Sequence, residues 1–374
     1  MPNQREIAEA LGVNQSTVSL ALRGSKRVAP AMRKKICKAA KQMGYTPNPA
    51  INAVMSRIRA GKKIKDQGVI AVLIEARSLE EWHEIETYRT FHEGLMQRAF
   101  ELGYRMENFF LQAPNMDPSK IDGILTARGI TGIIFAPPYH SNRKLNLTWE
   151  RYSAIGVGFG WEDQELNRVV YNSLHSFKTA FMELRKMGYQ RIGVAIHKNF
   201  VTGSRHGIKW YTAYLDCQNE LPVQNRIPVF AADTPNPGEP LPDALEKKLI
   251  RDFHQWVSKC KPDALLTIIG TEISWLKEMG LEVPRDIGVA CLAVPKDSLF
   301  AGIEEKSEVI GASAIEWVAG KIAQNDLGLP VHKKTMMIEG VWVRGQTVQT
   351  KKTLESPPGS RSESMPTKRL HPKG

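Results

Sequence analysis

The sequence predicts a small all-α domain at the N-terminus, followed by a larger α/β core of parallel sheets and crossover helices. Three observations support this fold class. The length of 374 residues suits two to three domains. The first 65 residues space their apolar side chains as short helices do and carry 14 Lys and Arg against two acids. From residue 68, short apolar runs alternate with helical segments.

The net charge of +12 is concentrated in the N-terminal domain. Residues 1–65 carry +12, residues 66–349 carry −4 and residues 350–374 carry +4. A dense cationic segment with almost no acids is typical of a domain that binds a polyanion, with DNA, RNA and a membrane surface as the candidates. A merely solubilising face would mix both signs of charge, so we favour polyanion binding.

Several classes of protein are excluded by the same sequence. No apolar run approaches the roughly 20 residues of a membrane span, and the N-terminus has no apolar segment of a signal peptide. The four cysteines are scattered, which predicts reduced thiols in a cytoplasmic, nucleoid-associated protein and excludes a disulfide framework or zinc module. No nucleotide-binding, nucleophile-elbow or metalloprotease motif occurs. We therefore expect no enzyme activity, no cofactor and no metal.

The apolar spacing predicts three helices in the N-terminal domain. Asn3 is a plausible cap of the first helix, which Gly12 ends. A tight turn leads into a second helix from Gln15 to Leu22, and a third helix starts at Pro30. Two short helices joined by a tight turn and followed by a third form a helix-turn-helix, whose second helix enters the major groove of DNA.

Two runs, REIAEALGVNQSTVSLALRG and VAPAMRKKICKAAKQMGYTPNPA, closely resemble the DNA-binding headpiece of the LacI/GalR family of bacterial transcription regulators. The match covers residues 2–60, and the rest of the chain follows the family pattern more loosely. The resemblance implies that three residues read bases, namely Gln15, Ser16 and Leu20. It further implies contacts to the DNA backbone or adjacent bases from Asn14, Thr17, Ser19, Arg23 and Arg27.

Leu20 departs from the family pattern, because many members carry arginine at this position. Arginine can donate two hydrogen bonds to guanine, whereas leucine offers only apolar contact, for example to a thymine methyl group. The preferred operator should therefore differ at that base pair. The alternative is that Leu20 packs in the core of the domain.

Residues 47–65 occupy the position of the family's hinge helix and linker. Family hinge helices fold on DNA, pair with the same helix of a second subunit and insert an apolar side chain into the minor groove. The resemblance places five residues in such contacts, with Val54 or Met55 as the wedge: Asn48, Ala53, Val54, Met55 and Arg57. The alternative is an ordinary linker helix that packs on the core.

The family core resembles periplasmic sugar-binding proteins, in which two lobes enclose a ligand cleft at the carboxyl ends of parallel strands. This resemblance divides the chain into a helix-turn-helix domain (1–46), the hinge, a core (66–349) and a basic tail (350–374) that we expect to be disordered. The first lobe is expected to comprise about 68–166 plus 297–322, and the second about 167–296 plus 323–349.

Polar and aromatic residues that follow the predicted strands are the candidate effector ligands. Tryptophans beside carboxylates and an arginine suit a sugar, because its C–H faces stack on rings while its hydroxyls take hydrogen bonds. Each tryptophan has the alternative of simple packing. The candidates are Glu75, Arg77, Trp82, Trp161, Asn172, Arg205, Thr271 and Asp297.

These interpretations predict a sequence-specific transcription regulator, a repressor of carbohydrate-utilisation genes. It would bind a pseudopalindromic double-stranded operator as a homodimer, without membrane contact, and a small molecule between the lobes would modulate its affinity. An alternative is a regulator whose core responds to a protein partner or to no ligand.

Overall fold

The computed structural model describes residues 4–22, 28–43, 68–138, 144–161, 164–197, 207–232, 242–268 and 270–351. The expected hinge (47–65) lies outside these ranges, as does the expected tail from residue 352 onwards. Within the described ranges, no helix has both the length and the apolar character needed to cross a membrane.

The N-terminal domain has the three predicted helices, α1 (Gln4–Leu11), α2 (Gln15–Leu22) and α3 (Pro30–Gln42). Gly12 adopts a φ of 64°, and the N–H of Val13 donates to the carbonyl of Ala8 at 3.0 Å. This left-handed cap ends α1 and turns the chain into α2. The three helices enclose a small core of Ile7, Ala8, Val18, Ala21, Val28, Ile36 and Ala40.

The core contains two sheets. The strands are β1 (Val69–Ile74), β2 (Arg105–Phe110), β3 (Gly132–Phe135), β4 (Ser153–Val157), β5 (Arg168–Tyr171), β6 (Ile192–His197), β7 (Phe230–Ala232), β8 (Ala264–Thr267), β9 (Gly288–Cys291), β10 (Ala301–Glu304), β11 (Thr335–Ile338) and β12 (Val341–Val343). The first sheet has the order β11-β5-β4-β3-β1-β2 and is parallel throughout. The second has the order β12-β10-β9-β8-β6-β7, with β12 antiparallel to β10.

Helices cover both faces of each sheet, as parallel crossover connections require. The core helices are α4 (Leu79–His83), α5 (Glu86–Leu102), α6 (Ile121–Ala127), α7 (Ser173–Lys186), α8 (Gly207–Asn219), α9 (Asp243–Cys260), α10 (Glu272–Glu278) and α11 (Ser307–Gln324), and single 3-10 turns span Pro118–Lys120, Trp149–Arg151 and Val223–Asn225. In the first lobe, α5 and α11 pack on one face, and α6 packs on the other. In the second lobe, α7 and α8 cover one face, and α9 and α10 cover the other.

The predicted fold class, an all-α headpiece with a two-lobed α/β core, is confirmed, but the strand pairing corrects the expected lobe division. β5 pairs with β4, so the first lobe extends beyond residue 166. Residues 297–322 were expected in the first lobe. Of that segment, α11 packs in the first lobe, but β10 pairs with β9 in the second sheet. β11 returns to the first sheet beside β5. A strand of four residues is too short for its apolar pattern to show which sheet it joins.

Two glycines allow α5 and α11 to cross in close backbone contact. A Cβ atom on Gly94 would lie 2.1 Å from the carbonyl oxygen of Glu308, and one on Gly311 would lie 2.2 Å from that of Phe91. This crossing fixes the start of α11 against the first lobe, where it borders the space between the two sheets.

Candidate effector cleft and DNA-binding headpiece

A cleft of about 1130 Å³ lies at the carboxyl ends of strands from both sheets. The segment from Glu75 to Glu93 follows β1, Gln112 follows β2, and Pro137 and Pro138 follow β3. The opposite wall follows β9 and β10 and consists of Ala293–Lys296, Ser298, Phe300 and Glu304–Glu308. This is the edge at which open parallel sheets bind ligands, so the cleft is the candidate effector site.

Three of the predicted effector residues, Glu75, Arg77 and Trp82, line this cleft. The Arg77 guanidinium contacts Glu81 with its Nε at 2.9 Å and its Nη2 at 2.7 Å. The hydrogen bond from this side chain lowers the pKa of Glu81. The Glu81 N–H also donates to the Ser78 hydroxyl that caps α4, at 3.3 Å. Because the Arg77 side chain is exposed, the ion pair orders the loop after β1 more than it stabilises the fold.

Trp82 combines packing with a position on the cleft wall. Its side chain is only 4 % exposed, and its ring lies 5.6 Å from that of Tyr88 and 6.1 Å from that of Phe91. The indole Nε1 has no hydrogen-bond partner among the described residues. A buried donor without an acceptor is uncommon in native proteins, but this N–H is inaccessible to water, so Trp82 contributes to the packed wall of the cleft.

The residues between β10 and α11 line the cleft but were absent from the sequence prediction. Glu305 is half-buried, and burial raises the pKa of its carboxyl to about 7, although a hydrogen bond with Thr87 opposes the shift. Burial of Tyr171, together with the nearby charge of Glu305, raises the pKa of its phenol well above the usual range. Lys306 adopts a left-handed φ of 59° and contacts Glu304 at 2.7 Å. The sequence gives little signal for these acids, because the apolar run before them, residues 301–303, is too short to be recognised as a strand.

The other predicted effector residues lie elsewhere. Trp161 packs in the first lobe, where its indole N–H donates to the carbonyl of Ala136 at 2.6 Å, so it has a packing role. Asn172 caps α7 by accepting a hydrogen bond from the N–H of His175 at 3.3 Å. Thr271 is exposed at the start of α10, and Asp297 is exposed with a φ of 60° between two cleft residues. Arg205 lies outside the described residues.

Only part of the predicted DNA-contacting set falls within the described structure. Asn14 is exposed, and its carbonyl accepts hydrogen bonds from the N–H groups of Thr17 at 2.9 Å and Val18 at 3.2 Å. Leu20 is half-buried and packs against the headpiece core. Gln15, Ser16 and Ser19 lie in α2, but their side chains are not described. The remaining predicted contacts lie outside the described residues: Arg23, Arg27, Asn48, Ala53, Val54, Met55 and Arg57.

Two family models match the chain. The model described as "Bacterial regulatory proteins, lacI family" matches residues 4–48, and "Periplasmic binding protein-like domain" matches residues 181–347. The first match covers the three helices of the headpiece and the second covers most of the second lobe. The chain belongs to the lacI family of bacterial regulatory proteins. The predicted family is thereby confirmed, and it is a family of transcription regulators rather than enzymes.

Individual family members show how far the likeness extends. The regulator CelR of Thermobifida fusca is 38 % identical over 54 % of this chain, which spans only 58 % of the CelR sequence. A solved CelR–cellobiose complex has a TM-score of 0.53 and 16 % identity, and covers 93 % of this chain and 100 % of its own. The lac repressor dimer bound to operator and an anti-inducer has the same TM-score and identity, covering 93 % and 99 %. At such identity the structural likeness shows the shared fold.

Within the part of the chain that the structure describes, no three His, Cys, Asp or Glu side chains converge in an arrangement that could hold a metal ion. Among those residues the cysteines are unpaired, and burial raises the pKa of Cys217 and of Cys291 to about 11. These two thiols are therefore protonated near neutral pH and poorly suited to nucleophilic chemistry.

Proposed function

We propose that this lacI-family protein is a sequence-specific DNA-binding repressor of carbohydrate-utilisation genes, whose operator affinity changes when a sugar binds in the cleft. The observation that carries the proposal is the union, in one chain, of a helix-turn-helix headpiece with a cleft lined from both sheets. A headpiece alone would bind DNA constitutively. A two-lobed cleft adds a site whose occupancy can bias the arrangement of the lobes.

In this proposal the headpiece binds the operator DNA. Fourteen Lys and Arg within residues 1–65 provide phosphate contacts, which position the protein and make its affinity depend on salt. The residues from Gln15 to Leu20 at the start of α2 supply base recognition in the major groove. Two headpieces in a dimer would read a pseudopalindrome.

The proposed homodimer is supported by an apolar surface on α5. Phe100 is 74 % exposed and Met96 is 41 % exposed, one turn apart on the same helix. Exposed large apolar side chains that cluster in this way mark contact surfaces. The lac repressor of similar fold was solved as a dimer on its operator. We propose that a second copy of this chain covers the surface.

Ligand control follows from the way the chain links the lobes. The chain crosses from one sheet to the other after β5, after β10 and after β11. The two lobes can therefore change their relative arrangement by bending at these three connections. A ligand that contacts both walls of the cleft favours the lobe arrangement in which both sets of contacts form. It changes operator affinity only to the extent that its own affinity differs between the DNA-bound and free states.

The proposal is tested by selecting an operator from random duplexes and measuring its affinity with and without a sugar panel. The panel includes cellobiose, because the CelR structure contains it. We expect tight operator binding that a sugar alters, and loss of binding when residues 1–65 are removed while the remaining core still binds the sugar. Operator binding that no ligand changes would favour the alternative, in which the core answers to a protein partner or to no ligand.

A further inference from the structure

Two histidines face each other directly behind the wall of the cleft. His83 is the last residue of α4, and His92 lies on α5. The Nε2 atom of His83 lies 3.1 Å from the Nδ1 atom of His92, so the two rings share a hydrogen bond. A hydrogen bond between imidazoles needs one nitrogen without a proton to accept it. The contact therefore exists only while at least one of the two rings is neutral.

The surroundings of His92 favour its neutral form. Its side chain is only 7 % exposed, and its ring lies 5.6 Å from that of Trp82. On its other side, the Nδ2 atom of Asn108 on β2 lies 3.2 Å from its Nε2 atom. Because an amide N–H donates to a ring nitrogen that carries no proton, the proton of the neutral ring lies on Nδ1 and points to His83. Burial and the charge of His83 both lower the pKa of His92.

The elements around the pair supply no counter-charge to His92 within the described ranges. The charge that acts on its ring is that of His83, which has the same sign. The acids of the surrounding elements have other contacts, namely Glu80 with His83, Glu93 with Arg89, Glu107 with Arg128, Glu308 with Gly94 and Glu316 with Arg98. A second proton on the pair would bring two N–H groups and two like charges together at hydrogen-bond distance. Acid should therefore separate the rings.

The pair joins two helices that form one wall of the cleft. Trp82 on α4 and Tyr88 on α5 both line the cleft, and only residues 84–85 separate the two helices. A helix of five residues such as α4 has too few internal hydrogen bonds to persist on its own in water. It keeps its place through tertiary contacts, of which the hydrogen bond between His83 and His92 is one.

We propose that His83 and His92 form a proton-sensitive latch, which holds α4 on the cleft wall at neutral pH and releases it in mild acid. The latch lies within the first lobe and does not depend on the identity of any ligand. Its consequence for an effector rests on the proposed function: a wall that loosens in acid should bind the effector less tightly.

The pH window follows from the direction of the pKa shift. In the latched form the pKa of His92 lies below the ordinary value of 6.5, which the ring regains when α4 is released. The released form therefore takes up a proton as the pH falls through about 6.5, so the latch is stable above this pH and is lost below it. One such proton makes release up to about tenfold more frequent at pH 5.5 than at pH 7.5.

Hydrogen exchange of the full-length protein, followed by mass spectrometry, measures this release directly. Exchange rates are corrected for the intrinsic effect of pH on amide exchange. Peptides that contain α4 should open about tenfold more often at pH 5.5 than at pH 7.5. Peptides that contain α6, a helix of the same lobe without histidine, should not change.

Glutamine variants assign the response to the pair. His83→Gln and His92→Gln should each abolish it, because the glutamine carbonyl oxygen accepts a hydrogen bond from a protonated partner ring and cannot itself ionise. His83 is half-buried, so its variant decides the question if the His92 variant does not fold. The matched control His332→Gln, at an exposed position outside the latch, should keep the full response.

Three results would overturn the inference: no acid response of α4 in the wild-type chain, an equal response in α6, or a response that persists in His83→Gln. Neither a ligand nor DNA enters this experiment, so its failure would leave the proposed function standing. Conversely, operator binding that no ligand alters would count against the proposed function and leave the latch intact.

Discussion

The substitution Glu305→Gln should stabilise the core at neutral and alkaline pH while leaving it almost unchanged in mild acid. Burial raises the pKa of Glu305 from 4.5 to about 7, so folding disfavours its ionised form. Below pH 4.5 the carboxyl is protonated in both the folded and the unfolded chain, and burial of its charge costs nothing. As the pH rises, the unfolded chain releases the proton first, and stability is lost until the folded-state pKa is passed.

The size of this loss follows from the pKa difference. At 1.36 kcal/mol per pKa unit, ionised Glu305 lowers the free energy of unfolding by about 3 kcal/mol at pH 8, and most of the loss falls between pH 5 and pH 7. The hydrogen bond with Thr87 opposes the shift in the pKa of this carboxyl, and the nearby Tyr171 stays neutral in this window because its own pKa is raised. Glutamine keeps the shape and cannot ionise, so it removes the loss.

Urea unfolding followed by tryptophan fluorescence measures the effect on the core, because residues 1–65 contain no tryptophan. The stability difference between Glu305→Gln and the wild-type chain should grow from below about 1 kcal/mol at pH 5 towards about 3 kcal/mol at pH 8. Glu304→Gln is the matched control, since its carboxylate is paired with Lys306 at 2.7 Å and its loss should not stabilise the core. A Glu305 variant that is no more stable than wild type at pH 8 would show that burial of the Glu305 charge does not destabilise the core.

Three further changes test the helix crossing, the proposed dimer and the headpiece. Gly311→Ala should lower the free energy of unfolding by about 1–3 kcal/mol, because its Cβ would overlap the backbone of α5. In the control Gly320→Ala on the same helix, the new Cβ meets nothing within 4 Å, so the free energy of unfolding should rise by up to about 1 kcal/mol. Equal effects of the two variants in urea unfolding would contradict the close crossing. Phe100→Glu should convert the dimer to a monomer in light scattering, and an unchanged dimer would exclude this face. Leu20→Arg should shift operator preference towards guanine at one base pair by about 1–3 kcal/mol, and an unaltered binding profile would exclude that contact.

The sequence predicted the helices correctly where the apolar spacing continues over several turns and where glycine or proline marks a helix end. Gly12 and Pro30 mark the end of one headpiece helix and the start of another, and both helices have these limits in the structure. The lobe division failed at β5, β10 and β11, because a four-residue strand carries no information about which sheet will supply its hydrogen bonds.

The cleft was only partly predictable for a related reason. Residues directly after the long buried strand β1, such as Glu75 and Arg77, could be placed at the sheet edge from sequence. Glu305 could not, because its position depends on the short strand β10 and on the crossing of α5 and α11. Asn172 shows the reverse error, since a polar residue after a strand can equally cap the next helix.

We expect the cleft and the headpiece to be thermodynamically linked, so that ligand binding in one changes affinity in the other. It is tested most directly by fluorescence anisotropy of a labelled operator duplex, titrated with the full-length protein with and without a saturating concentration of the sugar that calorimetry shows to bind the cleft. We expect the sugar to change operator affinity by roughly 5–150-fold, corresponding to a coupling free energy of about 1–3 kcal/mol. A sugar that occupies the cleft while the operator titration stays unchanged would contradict it.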